Sequence, residues 1–222
     1  MLEEAGLRDV GFTHAGSTEE GSITAAGLQR GVRTWTGRRV ALLARDPRDT
    51  IVSFFFQATR RSRVYRGSFS GFLRHPRFGI ERVIAFNLLW IRERHRFPAF
   101  LLLTYEEMHC DPHAALQKVS AFLVGGALAD DEVARVVRES SFGKMRAMEL
   151  SGVGAKRWGV RLRPGNREDP DSFKTRRGVV GGWRDYFSPD DEEFATDLLA
   201  RYNYPECCKA WEGEIGSTRM FG

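Results

Sequence analysis

The stretch from Arg39 to Asp49, RVALLARDPRD, constrains this chain more than any other. Arg39–Ala44 is a continuous apolar run bounded by polar residues, the pattern of a buried parallel strand. The next segment, Asp49–Phe56 (DTIVSFFF), favours a strand by composition. Its start argues for a helix instead: Asp46 can cap, Pro47 suits the first helical position and Asp49 falls in the first turn. A strand that runs straight into a capped helix puts Arg45 at the carboxyl edge of a parallel sheet, where open α/β sheets bind ligands. The helix start is expected to supply free backbone N–H groups and the positive end of the dipole, and Ser53 a hydroxyl one to two turns on. An arginine paired with Asp46 or Asp49 beside a capped helix is the plainer alternative, and the pattern alone occurs in many folds.

The rest of the chain alternates in the same way. Pro98–Thr104 (PAFLLLT) reads as a second strand, and Gly79–Phe97 as a helix with Ile80, Val83, Ile84, Leu88 and Ile91 at helical spacing. Pro112–Leu123, opened by Asp111, Asp131–Arg138 and Pro189–Tyr202 also read as helices. Val10–Thr13 fits a short strand, and Arg157–Asp171 a mobile loop. Strands alternating with helices predict an α/β sheet. A hydrophobic fraction of 42% in 222 residues suffices for a core and argues against global disorder. No apolar run reaches the roughly 20 residues that span a bilayer. The acidic start MLEEAGLRDVGF is unlike a secretory signal, so a cytoplasmic location is expected. The three cysteines, Cys110, Cys207 and Cys208, lack metal-ligand spacing and are read as reduced; no metal is expected. Net charge is +5, with arginine concentrated in Arg60–Arg77 and Lys156–Arg184. That balance suits an anionic partner, and the arginine fork fits phosphate or sulfate.

Ala41–Ser53, ALLARDPRDTIVS, resembles the 3′-phosphate-binding motif of sulfotransferases that use 3′-phosphoadenosine 5′-phosphosulfate (PAPS). In that family an arginine ends a strand and a serine stands eight positions on, as Arg45 and Ser53 do here (53 − 45 = 8). Three more segments appear in the family's order. Leu103–Met108, LTYEEM, resembles the strand end whose tyrosine approaches the adenine, here Tyr105. Ser140–Met145, SSFGKM, resembles the serine–phenylalanine segment near the nucleotide, here Ser141 and Phe142. Phe173–Phe187, FKTRRGVVGGWRDYF, resembles the Arg-Lys-Gly loop that closes over the 3′-phosphate, here Arg176, Arg177 and Gly178. Arg177 stands in place of lysine, and Gly182 where aspartate usually precedes the tryptophan, here Trp183. The resemblance implies an α/β, P-loop-NTPase-like three-layer fold with a central parallel sheet, a sulfotransferase domain over residues 1–205 and a C-terminal tail over 206–222. It also implies PAPS as sulfuryl donor and a small-molecule or glycan acceptor with a hydroxyl or amine. His14, in VGFTHAGS, resembles the family's Thr-His pair and is the expected general base.

Family members open with a strand and a Pro-Lys-Ser-Gly-Thr-Thr-Trp-like loop that holds the 5′-phosphosulfate. No Walker-type loop occurs in this sequence, and Gly16–Ser22 (GSTEEGS) has the glycine spacing but no lysine and two repelling glutamates. The sheet is therefore expected to lack its first strand and phosphate loop, with apolar groups left exposed. An inactive protein that binds adenosine 3′,5′-bisphosphate, or a scaffold, is the second reading. A third is a nucleic-acid-binding module in which Tyr65, Phe69 and Phe72 of the basic stretch stack on bases; it ranks below the other two, and no nucleic-acid partner is expected.

Overall fold

The computed structural model describes residues 32–153 and 163–204 together with Gly11. Apart from Gly11, the expected strand at Val10–Thr13 and the glycine-rich stretch after it therefore lie outside the described residues, as do His14, Cys207 and Cys208.

Two strands, β1 (Val40–Ala44) and β2 (Phe100–Thr104), pair in parallel with Ala44 opposite Thr104. Parallel neighbours need a crossover. It consists of helix α1 (Pro47–Phe56), a π-helical turn over Gln57–Arg61, the short helix α2 (Phe69–Leu73), helix α3 (Ile80–Arg92) and a 3-10 turn. Beyond β2 come α4 (Tyr105–Cys110), α5 (Pro112–Val124), α6 (Asp130–Glu139), α7 (Phe142–Ser151) and α8 (Pro189–Arg201), with 3-10 turns at Pro170–Ser172 and Gly182–Asp185. The chain is thus a helix-rich α/β protein.

Capping decides α1 against its β-branched composition. The Asp46 carboxylate accepts the Arg48 backbone N–H at 2.8 Å, and Pro47 supplies a preset φ at the first position. Once helical, the segment buries Ile51, Val52 and Phe56 completely or nearly so. The same local chemistry starts α5, where Asp111 accepts the Ala114 N–H, and α8, where Ser188 and Asp191 form a reciprocal box.

One face of the sheet joins α1, α2, α3 and α8 in the main core, which contains Leu42, Ile51, Phe72, Ile80, Ile84, Ile91 and Leu198. Phe54, Phe55, Tyr65, Phe72 and Phe78 meet there edge-on or stacked at ring separations of 4.9–6.4 Å. This placement corrects the base-stacking reading of the basic stretch. Phe72 is fully buried and Phe69 and Tyr65 pack against the core, because Ser68 caps a short helix that turns them inward.

Strand β1 is less buried than its apolar run alone predicts. Leu42 and Ala44 are buried, but Ala41 is exposed and Leu43 is 56% exposed. Its register partner Leu103 is buried, on a strand with α5 packed against it. Among the described residues, β2 is thus covered on both faces and β1 on one. No helix among the described residues is long and apolar enough to cross a membrane.

Candidate nucleotide site at the strand ends

The register that pairs Ala44 with Thr104 brings the next residue of each strand, Arg45 and Tyr105, out of the sheet side by side. The Arg45 guanidinium carbon lies 4.1 Å from the centroid of the Tyr105 ring. Burial raises the pKa of the Tyr105 phenol; the Arg45 charge opposes that rise, while Asp49 and Glu106 add to it. Thr104 and Glu107 form a capping box that starts α4 immediately after the strand. Burial works against ionisation of Glu107, yet the Thr104 backbone N–H, Lys118 and the Thr104 hydroxyl outweigh it and hold the carboxyl below its usual range. The Asp46 N–H donates to Glu106 Oε1 at 3.0 Å, so the two strand-to-helix corners are tied together.

These bonds correct one expectation. Pro47 has no N–H, the Arg48 N–H is taken by Asp46, and the Asp46 N–H is taken by Glu106. The Arg48 side chain also grips the Asp46 carboxylate at 2.7–3.2 Å. The Asp46 and Arg48 amides at the start of α1 are therefore already engaged, which leaves more of the holding of an anion to side chains.

The segment after Thr175 lies along α1. Near the end of the helix, the Arg176 guanidinium stacks 4.1 Å from the Phe56 ring centroid and donates to the Tyr186 hydroxyl at 2.6 Å. Arg177 reaches the same hydroxyl at 3.3 Å and pairs with Asp185 at 2.6 Å. Near the start of the helix, Arg45 Nη2 donates to the Val179 carbonyl at 2.8 Å. Between these points Asp49, only 3% exposed, accepts the Gly181 N–H at 2.7 Å and the Trp183 N–H at 2.9 Å. Trp183 is buried, with the Arg48 and Arg184 guanidinium groups 4.6 and 4.5 Å from its ring centroid. Ser53 is exposed one turn beyond Asp49, four residues on and so on the same helical face.

Gly178 joins this segment to α7. Its φ is +65°, and a Cβ there would lie 2.4 Å from Cδ2 of Phe142, so the ring occupies the space a side chain would need. Phe142, half-exposed, comes directly after Ser141 at the entry of α7. Four segments singled out in the sequence therefore converge: Arg45 on Tyr105, Arg45 on Val179, and Phe142 on Gly178. Arg176 and Arg177 are instead occupied by Tyr186, Asp171 and Asp185. His14, the expected base, lies outside the described residues.

Two carboxylates central to this arrangement are not marked as site residues by the sequence. Asp49 reads there as a first-turn charge and as an alternative ion-pair partner of Arg45, and the structure places its Oδ2 3.5 Å from Arg45 Nη2. Glu149, 5% exposed on α7, accepts the Lys174 N–H at 2.7 Å and the Thr175 N–H and hydroxyl at 2.9 and 2.6 Å. Arg61, brought inward by the π-helical turn, adds a 3.3 Å bond to Glu149 and donates to the Ser172 carbonyl at 2.9 Å. No local pattern flags Glu149, and none shows the backbone donors of Asp49, since these partners lie far along the chain. Among the described residues no three His, Cys, Asp or Glu side chains gather as metal ligands would.

Both the sequence and the fold have counterparts among known proteins. Residues 35–203 match the family described as "Sulfotransferase domain". Mouse sulfotransferase 2B1 is 27% identical over 179 residues, covering 73% of this chain and 47% of the relative. Mouse sulfotransferase 2A6 is 30% identical over 159 residues, covering 68% of this chain and 51% of the relative. The chain thus spans about half the length of these curated relatives. Among solved structures, mouse sulfotransferase SULT7A1 complexed with PAP superposes with a TM-score of 0.59 at 22% identity, over 87% of this chain and 66% of the other. Retinol dehydratase in complex with androsterone and inactive cofactor PAP gives the same TM-score, 0.59, at 24% identity, over 75% of this chain and 48% of the other. These structural likenesses establish a shared fold.

Proposed function

Since the chain belongs to the sulfotransferase-domain family, matched over residues 35–203, we propose that it transfers a sulfuryl group from PAPS to a hydroxyl or amine of a small-molecule or carbohydrate acceptor. The observation that carries the reading is Arg45. Its guanidinium stands at the carboxyl edge of the sheet against Tyr105, and its Nε is buried with no hydrogen-bond partner. A buried charged donor without an acceptor costs stability unless a ligand supplies one. A 3′-phosphate is such an acceptor, so the residues present fit the nucleotide.

In this reading Arg45, Ser53, Arg176, Arg177 and Gly178 bind the 3′-phosphate, and Tyr105, Ser141 and Phe142 position the adenine. Arg176 and Arg177 would exchange part of their bonding to Asp171, Asp185 and Tyr186 for phosphate oxygens. When bound, PAPS contributes an activated sulfuryl group. His14 would take the proton of the acceptor as it attacks sulfur in line with the leaving phosphate. The relatives' names include a guinea-pig 3-beta-hydroxysteroid sulfotransferase, and androsterone occupies one structural neighbour. Small hydroxylated apolar molecules are therefore the acceptors to try first.

Calorimetric titration with adenosine 3′,5′-bisphosphate (PAP), with 5′-AMP as control, tests the site. The expected result is binding that requires the 3′-phosphate and weakens about 10- to 100-fold in Arg45→Ala, from about 1.5–3 kcal/mol for a hydrogen bond to a charged group. Equal affinity for the two nucleotides, or an unaffected Arg45→Ala, overturns it. Incubation with labelled PAPS and a hydroxysteroid then separates transfer from binding alone.

A further inference from the structure

We infer that Asp49 is the positioning residue of this anion site, clamping the 179–183 segment onto α1 and fixing the Arg45 guanidinium; the inference rests on reading Arg45 as the 3′-phosphate ligand. Both carboxylate oxygens are used. Oδ1 accepts the Trp183 N–H, while Oδ2 accepts the Gly181 N–H and lies 3.5 Å from Arg45 Nη2. That same Nη2 donates to the Val179 carbonyl, so the arginine and the loop are held by one carboxylate and hold each other. Gly181 has φ +74°, a turn that brings the Trp183 N–H back toward α1 beside its own.

Every group facing Asp49 in this clamp is a donor, and its two carboxylate oxygens supply the acceptors. An asparagine amide, in either orientation, would set its NH₂ against a backbone N–H. The corner beside the clamp is tight at Gly182. A Cβ on Gly182 would meet Val179 Cγ2 at 2.7 Å and stand 4.0 Å from Asp49 Oδ1.

Charge and geometry make opposite forecasts, which renders the idea testable. A negative charge beside the phosphate-binding arginine opposes an anion, so by Coulomb's law alone Asp49→Asn should tighten binding of PAP. If Asp49 acts by placing Arg45 and the loop, the same change should weaken it.

The experiment uses the full chain in two arms. In the first, hydrogen exchange without nucleotide should show the Gly181 and Trp183 amides exchanging about 10-fold faster in Asp49→Asn, while amides of α3 keep their protection. In the second, calorimetry should show the preference for PAP over 5′-AMP falling about 10-fold. A general loss of packing would weaken both nucleotides alike and leave that ratio in place. Asp49→Ser, smaller and still able to accept one bond, carries the same expectations if the asparagine variant folds poorly. Unchanged exchange at Gly181 and Trp183, or tighter PAP binding, overturns the inference. Loss of those protections in a variant of a wild-type chain that shows no 3′-phosphate preference would support the clamp and sink the nucleotide reading instead.

Discussion

Gly178→Ala is a sharp probe of how the nucleotide edge is assembled. Two separate costs can be worked out at this position. A non-glycine residue at φ +65° sits in the left-handed region, at about 1–2 kcal/mol. The added methyl would also lie 2.4 Å from Phe142 Cδ2, so the ring must leave. Phe142 is 39% exposed and free to swing outward, which limits that second cost to its lost packing, about 1 kcal/mol. The single substitution should therefore cost about 2–3 kcal/mol. In a Phe142→Ala background only the backbone cost remains, about 1–2 kcal/mol. Urea unfolding of the four proteins in the cycle gives the coupling as a difference of differences, expected near 1 kcal/mol. Equal costs in both backgrounds would refute the contact between α7 and the loop. A cost below about 0.5 kcal/mol, the range of an ordinary surface change, would refute the strained backbone as well.

Glu149→Ala should lower stability by about 3–5 kcal/mol, because Arg61 and the 174–175 backbone lose their buried carboxylate; Glu149→Gln, keeping the shape, should cost about 1–3 kcal/mol, both read as shifts in urea midpoint. Burial disfavours the Asp191 carboxylate, but Ser70, Arg74 and Ser188 outweigh it and depress its pKa. Its contribution to stability is then complete above the unfolded value of about 3.9 and is lost as pH falls from there through the lower folded value. Acid titration of Asp191→Asn should show a shallower fall in stability across that window, and an unchanged slope would count against the assignment.

The features legible in the sequence are those that the chemistry of neighbouring residues decides. Asp46 and Pro47 specify the start of α1, and Asp111 and Pro112 that of α5, whatever surrounds them. The position of Arg45 at a strand end comes from the same local grammar, and the wording of four segments singles out stretches that the fold brings together at one edge. Properties set by distant partners stay hidden. The burial of Glu149 depends on Arg61, 88 residues earlier, and the role of Asp49 on Gly181, 132 residues later. Phe72 looks available for stacking because nothing nearby in sequence shows that it turns inward against Phe54 of α1. The amides at the start of α1 look free because the sequence cannot show Glu106 folding back onto Asp46.

The pairing of Ala44 with Thr104 also bears on the order of folding. Their alignment closes a loop of 60 residues (104 − 44), at an entropic cost on the order of 3–4 kcal/mol before any contact at the edge is made. Arg45 then waits for Val179, 134 residues away. Helices α1 and α3, whose contacts are nearer in sequence, can meet well before that. The two corners and the loop that join at Arg45 are consequently late arrivals, so a chain can hold α1 against α3 while its anion site is still unformed. Newly made or refolding protein should gain helical signal first and nucleotide affinity afterwards.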